Sequence, residues 1–368
     1  MRQVLFRIPI RVFDWLPAWL PDYLPIYGFG MMLFVAFVVC TWLAGRRAKK
    51  QGVPKEVMQD LAIWLFVGGL VGARIVYMVQ YGRPPSEFFM IWQGGIVFYG
   101  SVIGGVLGYL LAYRFVLSKH QLTFWKVADI IAPAVPIGLA VGRIGCFLNG
   151  CCFGTVACPD CPAVHFPLSA PPRFALVAEG YQTAAGFTLA GGGLLDPPVV
   201  GAVDPDSPAA REGLRRGDLI VGANDRVIKS YGDLEHYLAS SEAWPRGENN
   251  LKLVVQRDGV ELEPMTFAPR TIGLQPTQLY ESISMLLLLG LLLAYEPFKR
   301  HDGELMVLFF LLYPLHRFLN ETLRNDTDPV AFGLTLSQNG SLLLFAAAVV
   351  LAVWMWRRPV QYPRPLPA

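Results

Sequence analysis

Long apolar stretches separated by short polar loops dominate the chain. A helix that crosses a bilayer needs about 20 mostly apolar residues, and seven stretches approach that length. They are Tyr27–Ala44, Leu61–Gln80, Gly95–Leu117, Val127–Phe147, Gln278–Tyr295, Glu304–Leu319 and Gln338–Trp356. This pattern predicts an α-helical polytopic membrane protein with seven transmembrane helices.

Basic residues in the short loops indicate the direction of these spans, because cytoplasmic loops are enriched in Lys and Arg. Such residues follow the first, third, fifth and seventh spans: Arg46, Arg47, Lys49, Lys50, Lys55, Lys119, Lys126, Lys299, Arg300, Arg357 and Arg358. These loops share one side of the membrane if the N-terminus lies outside and the C-terminus lies in the cytoplasm. Ahead of the first span, Val12–Leu24 is predicted to be an amphipathic segment at the membrane surface.

The segment between the fourth and fifth spans has the pattern of a soluble domain. Short apolar strands are predicted at Val199–Val203, Leu219–Ala223 and Leu251–Gln256, and an amphipathic helix at Tyr231–Ala239. Residues 186–269 resemble a PDZ domain, notably at Ser207-Pro208-Ala209-Ala210, Gly213-Leu214 and Gly217-Asp218-Leu219-Ile220. A PDZ domain adds an extended peptide to its sheet. Capture of a protein tail and a purely structural role both remain open for this extracytoplasmic α+β insert.

The organisation predicted from these patterns has three parts. Residues 1–185 form the first part of the membrane domain, with the surface segment, four spans and a cysteine-rich loop. Residues 186–269 form the PDZ-like insert, and residues 270–368 carry the last three spans.

Composition and motif content narrow the functional class. The chain is 54% hydrophobic and 16% charged, whereas soluble domains carry about 25% charged residues. A net charge of +3 is too small to indicate nucleic-acid binding. The five histidines supply no HExxH motif, and GxSxG is absent, so the two common protease signatures are missing. We also find no internal repeat of the kind that many transporters show.

Ionisable residues nevertheless lie within or at the ends of the predicted spans, where a charge costs at least about 2.5–3.5 kcal/mol. They are Arg74, Asp129, Arg143, Glu281, Arg317 and Glu321. Asp129, at a cytoplasmic end, is interpreted as part of a structural ion pair. Arginine presents a planar fork that fits phosphate, so the arginines indicate a phospholipid headgroup as ligand.

The stretch VGRIGCFLNGCCFG, Val141 to Gly154, resembles the signature of the prolipoprotein diacylglyceryl transferase family. Further blocks of that family follow in its order: IWQGGIVFYGSVIGG, ADIIAPAVPIGLAVGR, QPTQLYES and YPLHRFLNETLRND. Together they cover nearly all of the chain outside the insert.

The resemblance implies roles for individual residues. Arg143 and Arg317 match the family's two key arginines, which implies binding of the phosphatidylglycerol phosphate and a catalytic role. Other matched positions imply contacts with phosphatidylglycerol: Tyr27, Arg74, Asn149, Gly154, Gln278, Tyr280 and Tyr313. Glu281, Glu321 and Arg324 also match polar positions of the family. No cofactor and no metal are predicted.

Three departures from the family pattern bear on the chemistry. Tyr99 stands where well-known members have a histidine that has been considered a thiol-activating base, and tyrosine has a pKa of about 10. Cys146 and Cys151 stand where asparagine and an acidic residue are common. The family does not generally contain a PDZ insert.

The implied reaction needs a deprotonated thiol and a stabilised leaving phosphate. Arg143 and Arg317 are assigned to the phosphate. Glu281 or Glu321 acts either as the base, if burial raises its pKa, or as a counter-ion that holds the arginines, and Tyr99 is expected to position the headgroup or thiol.

Five of the six cysteines cluster at the outer end of the fourth span, where an oxidising compartment favours disulfides. One or two disulfides among Cys151, Cys152, Cys158 and Cys161 are predicted in preference to a metal site or free thiols.

The predicted function is transfer of the diacylglyceryl group from phosphatidylglycerol to the lipobox cysteine of prolipoproteins in the bacterial cytoplasmic (inner) membrane. The expected partners are phosphatidylglycerol, prolipoprotein signal peptides, membrane lipid and a protein tail at the insert, with no nucleic acid. The alternative is an inactive, transferase-like scaffold that recruits protein tails through its PDZ domain.

Overall fold

The computed structural model describes residues 3–9, 22–89, 97–120, 122–158, 160–205, 207–324 and 329–361. Most of the predicted surface segment Val12–Leu24 lies outside these ranges. The chain divides into two compact units. The first unit comprises Met1–Leu33, Gly142–Ser282 and Leu319–Thr335, and the second comprises Phe34–Val141, Ile283–Phe318 and Leu336–Ala368.

Helices supply most of the membrane part of the chain. They are α1 (Gly28–Lys50), α2 (Lys55–Tyr81), α3 (Phe98–Phe115), α4 (Phe124–Ile131), α5 (Ala134–Asn149), α6 (Pro172–Ala178), α9 (Thr277–Tyr295), α10 (Glu304–Glu321) and α11 (Leu336–Trp356). A hairpin of β1 (Val4–Pro9) and β2 (Tyr23–Tyr27) precedes α1, and a short hairpin of β10 (Pro329–Ala331) and β11 (Leu334–Thr335) precedes α11.

Five helical segments in the described chain are long and apolar enough to cross a membrane: Gly28–Lys50, Lys55–Tyr81, Phe124–Asn149, Thr277–Phe298 and Leu336–Trp356. They coincide with predicted spans one, two, four, five and seven, which confirms a helical protein with several apolar spans. The predicted third and sixth spans are the 18-residue helices α3 and α10. The apolar part of α3 is short, and α10 contains three charged residues. The count of seven therefore stays a prediction.

Within the second unit, α2 and α3 pack backbone to backbone through glycines. A Cβ atom at Gly72 would collide with the carbonyl oxygen of Gly100, and one at Gly104 would collide with that of Gly68. Small residues permit this close approach between membrane helices. The glycine pattern around the third span is thus explained by helix packing.

We expect Gly104→Ala to lower the free energy of unfolding by about 2 kcal/mol, in the range for overpacked contacts. The added carbon meets the backbone of Gly68 and Gly72, which cannot rotate away as a side chain can. Thermal unfolding in detergent measures the change. Gly105→Ala is the matched control, because a Cβ there meets nothing within 4 Å. Equal losses in the two variants would contradict this packing.

The structural ion pair predicted for Asp129 is present in the second unit. Its fully buried carboxylate lies 3.2 Å from Lys299 Nζ, and Oδ1 accepts a 2.9 Å hydrogen bond from the backbone N–H of Leu305 at the start of α10. Arg47 donates to the carbonyl oxygens of Asp129 and Ile130 and pairs with Glu296 at 2.6 Å. Buried charges need such partners, and here they join the ends of α1, α4, α9 and α10.

The insert, in the first unit, is an α+β fold with its own apolar core. Its elements are β3 (Phe187–Leu189), β4 (Val200–Val203), α7 (Pro208–Arg211), β5 (Leu219–Ala223), β6 (Arg226–Val227), α8 (Tyr231–Ala239), β7 (Leu251–Arg257), β8 (Val260–Glu261) and β9 (Met265–Phe267). The main sheet has the order β6-β5-β7-β8, with β9 also paired to β7. The predicted strands and the Tyr231–Ala239 helix are confirmed; the identity of the fold as PDZ stays a prediction.

A buried arginine ties α6 to the insert. Arg173 is 1% exposed, and its guanidinium donates to the carbonyl oxygens of Leu168 and, at the end of α8, of Leu238 and Ser240. Cations at a helix C-terminus satisfy its last carbonyl groups. Burial lowers the pKa of Arg173 to about 10, so the side chain stays protonated at neutral pH.

Candidate active site

In the first unit, Arg143 and Glu281 form a buried ion pair. Arg143 Nη2, on α5, lies 3.0 Å from Glu281 Oε1, on α9. The other carboxylate oxygen of Glu281 accepts a 3.0 Å hydrogen bond from Asn320 Nδ2, on α10. Glu281 is 1% exposed, whereas the Arg143 side chain keeps 17% of its surface accessible. The arginine therefore has surface to offer a ligand, and the glutamate faces protein groups.

A second carboxylate, Glu321, lies at the end of α10. Its Oε1 accepts a 3.0 Å hydrogen bond from Thr335 Oγ1, and its Oε2 lies 3.5 Å from Arg324 Nη1. Arg324 forms an isolated β-bridge with Gly154, the last residue of the signature stretch. A Cβ at Gly154 would come within 2.6 Å of the carbonyl oxygen of Gln275. Gly154 thus allows the close approach of three backbone segments.

The start of α9 holds the turn that follows α5. Gln278 Nε2 donates to the carbonyl oxygen of Cys151 at 2.8 Å, and Thr277 Oγ1 donates to that of Cys152 at 2.9 Å. Both donor residues are 1% exposed. Gln278 was predicted to contact phosphatidylglycerol; in the structure its amide nitrogen binds the protein backbone and positions the signature turn.

Asn149 meets an arginine from the insert. Asn149 Oδ1 accepts a 2.6 Å hydrogen bond from Arg246 Nη2, and the Arg246 guanidinium lies 4.1 Å from the centre of the Tyr27 ring. Tyr27, predicted at the start of the first span, is the last residue of β2. Gln3 also donates to the Asn149 carbonyl oxygen at 2.9 Å. An arginine side chain of the insert therefore contacts two of the predicted phosphatidylglycerol-binding residues.

We expect Arg246→Ala to reduce the rate of the transfer reaction implied by the sequence resemblance about fivefold. This factor corresponds to the loss of one hydrogen bond of about 1 kcal/mol. The arginine holds the Asn149 side chain and covers Tyr27. Initial rates in detergent measure the effect. Arg216→Ala, at an exposed arginine of the same insert, is the control, and equal rates in the two variants would contradict the role of Arg246.

In the second unit, Arg317 is 9% exposed, and its Nη2 donates to Ser337 Oγ at 3.0 Å. Tyr313, one turn earlier on α10, stacks on Phe309 with ring centres 5.2 Å apart. Arg74 is 2% exposed and donates to the carbonyl oxygens of Glu87 and Phe88, so it holds the chain after α2.

The two remaining tyrosines are placed by their helices. Tyr99 is the second residue of α3, and its side chain lies outside the described part of the structure. Tyr280 is in the first turn of α9, next to Glu281, and is half-buried.

The cysteines divide into a disulfide and a thiol cluster. A disulfide joins Cys158 and Cys161, whereas Cys151 and Cys152, also considered for disulfides, are free thiols. The Sγ atoms of Cys146, Cys151 and Cys152 lie within 4.8 Å of one another. Hydrogen bonds from the Cys146 and Cys151 thiols lower the pKa of Cys152, and the charges of Arg143 and Arg324 act in the same direction.

Four functional candidates were missing from the sequence interpretation: Asn320, Thr335, Ser337 and Arg246. Asn320 directly precedes Glu321 in the block YPLHRFLNETLRND, and its position in this block could have marked it as a site residue. Arg246 lies in a loop of the insert, far from the signature in sequence, and nothing local marks it.

Comparison with known proteins agrees with the family resemblance of the sequence blocks. The sequence model of the prolipoprotein diacylglyceryl transferase family matches residues 19–354. A protein of Rhodopirellula baltica named phosphatidylglycerol–prolipoprotein diacylglyceryl transferase is 31% identical over 377 residues, covering 90% of this chain and 73% of that protein. Proteins of the same name from Sodalis glossinidius and Erwinia tasmaniensis are 37% and 40% identical, over 44% and 43% of this chain and 57% and 55% of their own lengths.

Proposed function

Because the chain belongs to the prolipoprotein diacylglyceryl transferase family, we propose that it transfers the sn-1,2-diacylglyceryl group of phosphatidylglycerol to the lipobox cysteine of prolipoproteins. The products are a thioether and glycerol phosphate. The observation that carries this proposal is the partly accessible Arg143, held by the buried Glu281 at 3.0 Å. A guanidinium fixed in this way is suited to a phosphate on which charge develops.

The reaction exchanges one bond for another at the glycerol carbon. The substrate sulfur forms a bond to the carbon that bears the phosphate ester, and the carbon–oxygen bond breaks with its electron pair on the departing phosphate. Arg143 and Arg317 bind that phosphate. Asn149, Gly154 and Tyr27 shape the surroundings, with Tyr280 and Tyr313 on α9 and α10 as further headgroup contacts.

The two glutamates act as counter-ions in this proposal. Both oxygens of Glu281 face donors, Arg143 and Asn320. Both oxygens of Glu321 likewise face donors, from Arg324 and Thr335. These contacts place the two carboxylates where they orient Arg143 and Arg324. Neither group is the thiol base, and Tyr99 is assigned to positioning the headgroup or thiol.

The proposal also includes the membrane topology and the location of the insert. Seven spans lie in the bacterial inner membrane, with the N-terminus outside, and the insert of residues 186–269 is an extracytoplasmic PDZ-like domain. The strand β5, the following helix α8 and the long strand β7 support that identity. Its groove is assigned to an extended protein segment.

Donor specificity tests the proposed reaction. The purified chain in detergent is incubated with phosphatidylglycerol labelled in its headgroup and a peptide with a lipobox cysteine. Release of labelled glycerol phosphate is expected with this peptide and not with its cysteine-to-serine counterpart. Phosphatidylethanolamine serves as the control donor. Release that does not require the peptide thiol would contradict transfer, and no release with any donor is the result that the scaffold alternative predicts.

A further inference from the structure

Three cysteines converge at the end of α5, apart from the groups assigned to the phosphate. The Sγ atoms of Cys146, Cys151 and Cys152 lie within 4.8 Å of one another, and each residue is half-buried. Among the described residues, no other three His, Cys, Asp or Glu side chains come together in this way. Three convergent sulfur atoms are a ligand set for a thiophilic metal ion.

The backbone that brings these sulfurs together is unusual and firmly held. Gly150 has a φ of 83°, and Cys152 has a φ of 59°, a region that non-glycine residues rarely adopt. Such conformations persist where the surroundings over-determine them. Here the buried Gln278 and Thr277 each donate to a carbonyl oxygen of the cysteine pair.

The separations of the three sulfur atoms are compatible with coordination of one metal ion. Zinc–sulfur bonds of about 2.3 Å in a tetrahedron place sulfur atoms about 3.8 Å apart, so the observed separations need adjustments of about 1 Å or less. A disulfide between Cys151 and Cys152 is disfavoured, because adjacent Cα atoms are about 3.8 Å apart and disulfides need about 4.4–6.8 Å. Any single disulfide would also leave the third sulfur out.

Charge around the cluster points the same way. Three thiolates with one divalent cation carry a net negative charge, which needs compensation in a partly buried site. Arg143 lies on α5, which also carries Cys146, and Arg324 forms a β-bridge with Gly154, two residues after Cys152. Arg143 is also the proposed phosphate ligand, so the cluster adjoins the reaction site.

We infer that Cys146, Cys151 and Cys152 bind a divalent cation of the Zn²⁺ type through three thiolates and leave the fourth tetrahedral position to the substrate thiol. The second half of this inference rests on the proposed function. A metal site at these cysteines departs from the sequence analysis, which predicted disulfides and no metal. Catalytic zinc sites characteristically combine three protein ligands with one open position.

A cation at this site would activate the substrate thiol, a role that no side chain has in the proposed mechanism. Coordination releases the proton of the substrate thiol to solvent, because a metal-bound thiol is deprotonated. The coordinated sulfur then forms the bond to the glycerol carbon, and the electron pair of the broken carbon–oxygen bond leaves with glycerol phosphate. The cation keeps its oxidation state throughout. Glu281 and Glu321 remain counter-ions.

Cobalt binding tests the site without reference to activity. The full chain, purified in detergent with a reductant, is titrated with Co²⁺, and thiolate-to-cobalt charge-transfer absorption is recorded. One Co²⁺ per chain, displaced by Zn²⁺, is expected for the unsubstituted protein and for the control Cys40→Ser. Affinity should fall at least about tenfold in Cys151→Ser and Cys152→Ser, since even outer-shell changes have that effect. Thermal unfolding identifies variants that fail to fold.

Two results would overturn the metal site. One is a reduced, folded chain that binds neither Co²⁺ nor Zn²⁺. The other is a disulfide between two of these three cysteines in the chain purified without reductant, found by peptide mapping. If transfer persists in either case, the proposed function stands and only this inference fails.

The open position has its own test. A lipobox peptide should shift the Co²⁺ absorption spectrum of the loaded chain, and its cysteine-to-serine counterpart should not. An unchanged spectrum with bound cobalt would make the cation structural and overturn the substrate half of the inference. A chain that shows the shift but transfers no diacylglyceryl group would instead contradict the proposed function.

Discussion

Replacing Arg143 by alanine should lower kcat for diacylglyceryl transfer at least about 100-fold, the loss typical of removing one donor to a developing oxyanion. The residue combines 17% side-chain exposure with an ion pair to a buried carboxylate. Its guanidinium is therefore held in place while still able to reach a ligand. Initial rates with phosphatidylglycerol and a lipobox peptide measure the effect.

The same substitution should also destabilise the protein, and this must be separated from the chemistry. Arg143→Ala leaves Glu281 buried without its cation, at a cost of about 3 kcal/mol. The double variant Arg143→Ala/Glu281→Gln removes that buried charge, so its unfolding temperature should recover while its kcat stays low. Recovery of activity together with stability would show that Arg143 serves the fold alone and would contradict its role at the phosphate.

Arg317→Ala is expected to have an effect of similar size, a loss of at least about 100-fold in kcat/KM. Arg317 is 9% exposed within the second unit, and Ser337 accepts a hydrogen bond from its Nη2 at 3.0 Å. Its planar guanidinium fork fits a phosphate group, so an anionic ligand suits this residue. Steady-state kinetics in phosphatidylglycerol-containing micelles give the ratio.

Ser337→Ala is the matched control for Arg317. It removes the 3.0 Å hydrogen bond and keeps the charge, so we expect a loss of about fivefold, equivalent to about 1 kcal/mol. Arg317→Lys keeps the charge but not the planar fork, and it should recover only part of the activity. Normal transfer by Arg317→Ala would exclude the residue from phosphate binding.

The fold followed from the sequence where local periodicity decides structure. Apolar stretches near the length of a bilayer crossing gave the helices, and alternating strands with turn residues gave the insert, including Leu219–Ala223 and Tyr231–Ala239. Tyr27 was placed in a helix but ends a strand, because its strand is set by pairing with β1, which is distant in sequence. The break between α4 and α5 follows from Pro133, which removes a backbone donor.

The candidate site was only partly predictable for a related reason. Arg143, Glu281 and Arg317 were identified because charges in apolar helices are costly and because they match a family signature. Their partners Asn320 and Ser337 are ordinary polar residues, and contacts on different helices select them. The contact of Gln278 with the lipid stays a prediction, and the hydrogen bond from its amide nitrogen to the cysteine turn could not be read from the sequence. The thiol cluster depends on the positive φ of Cys152, which no sequence pattern predicts.

The mass of the acceptor peptide tests the central claim most directly. The purified chain is incubated with phosphatidylglycerol and a lipobox peptide, and the peptide is analysed by mass spectrometry. We predict the increment of one diacylglyceryl group on the cysteine, absent after alkylation of the peptide thiol and absent with Arg143→Ala. An unmodified peptide in the presence of folded, lipid-binding protein would contradict the transferase and favour a scaffold that recruits envelope proteins.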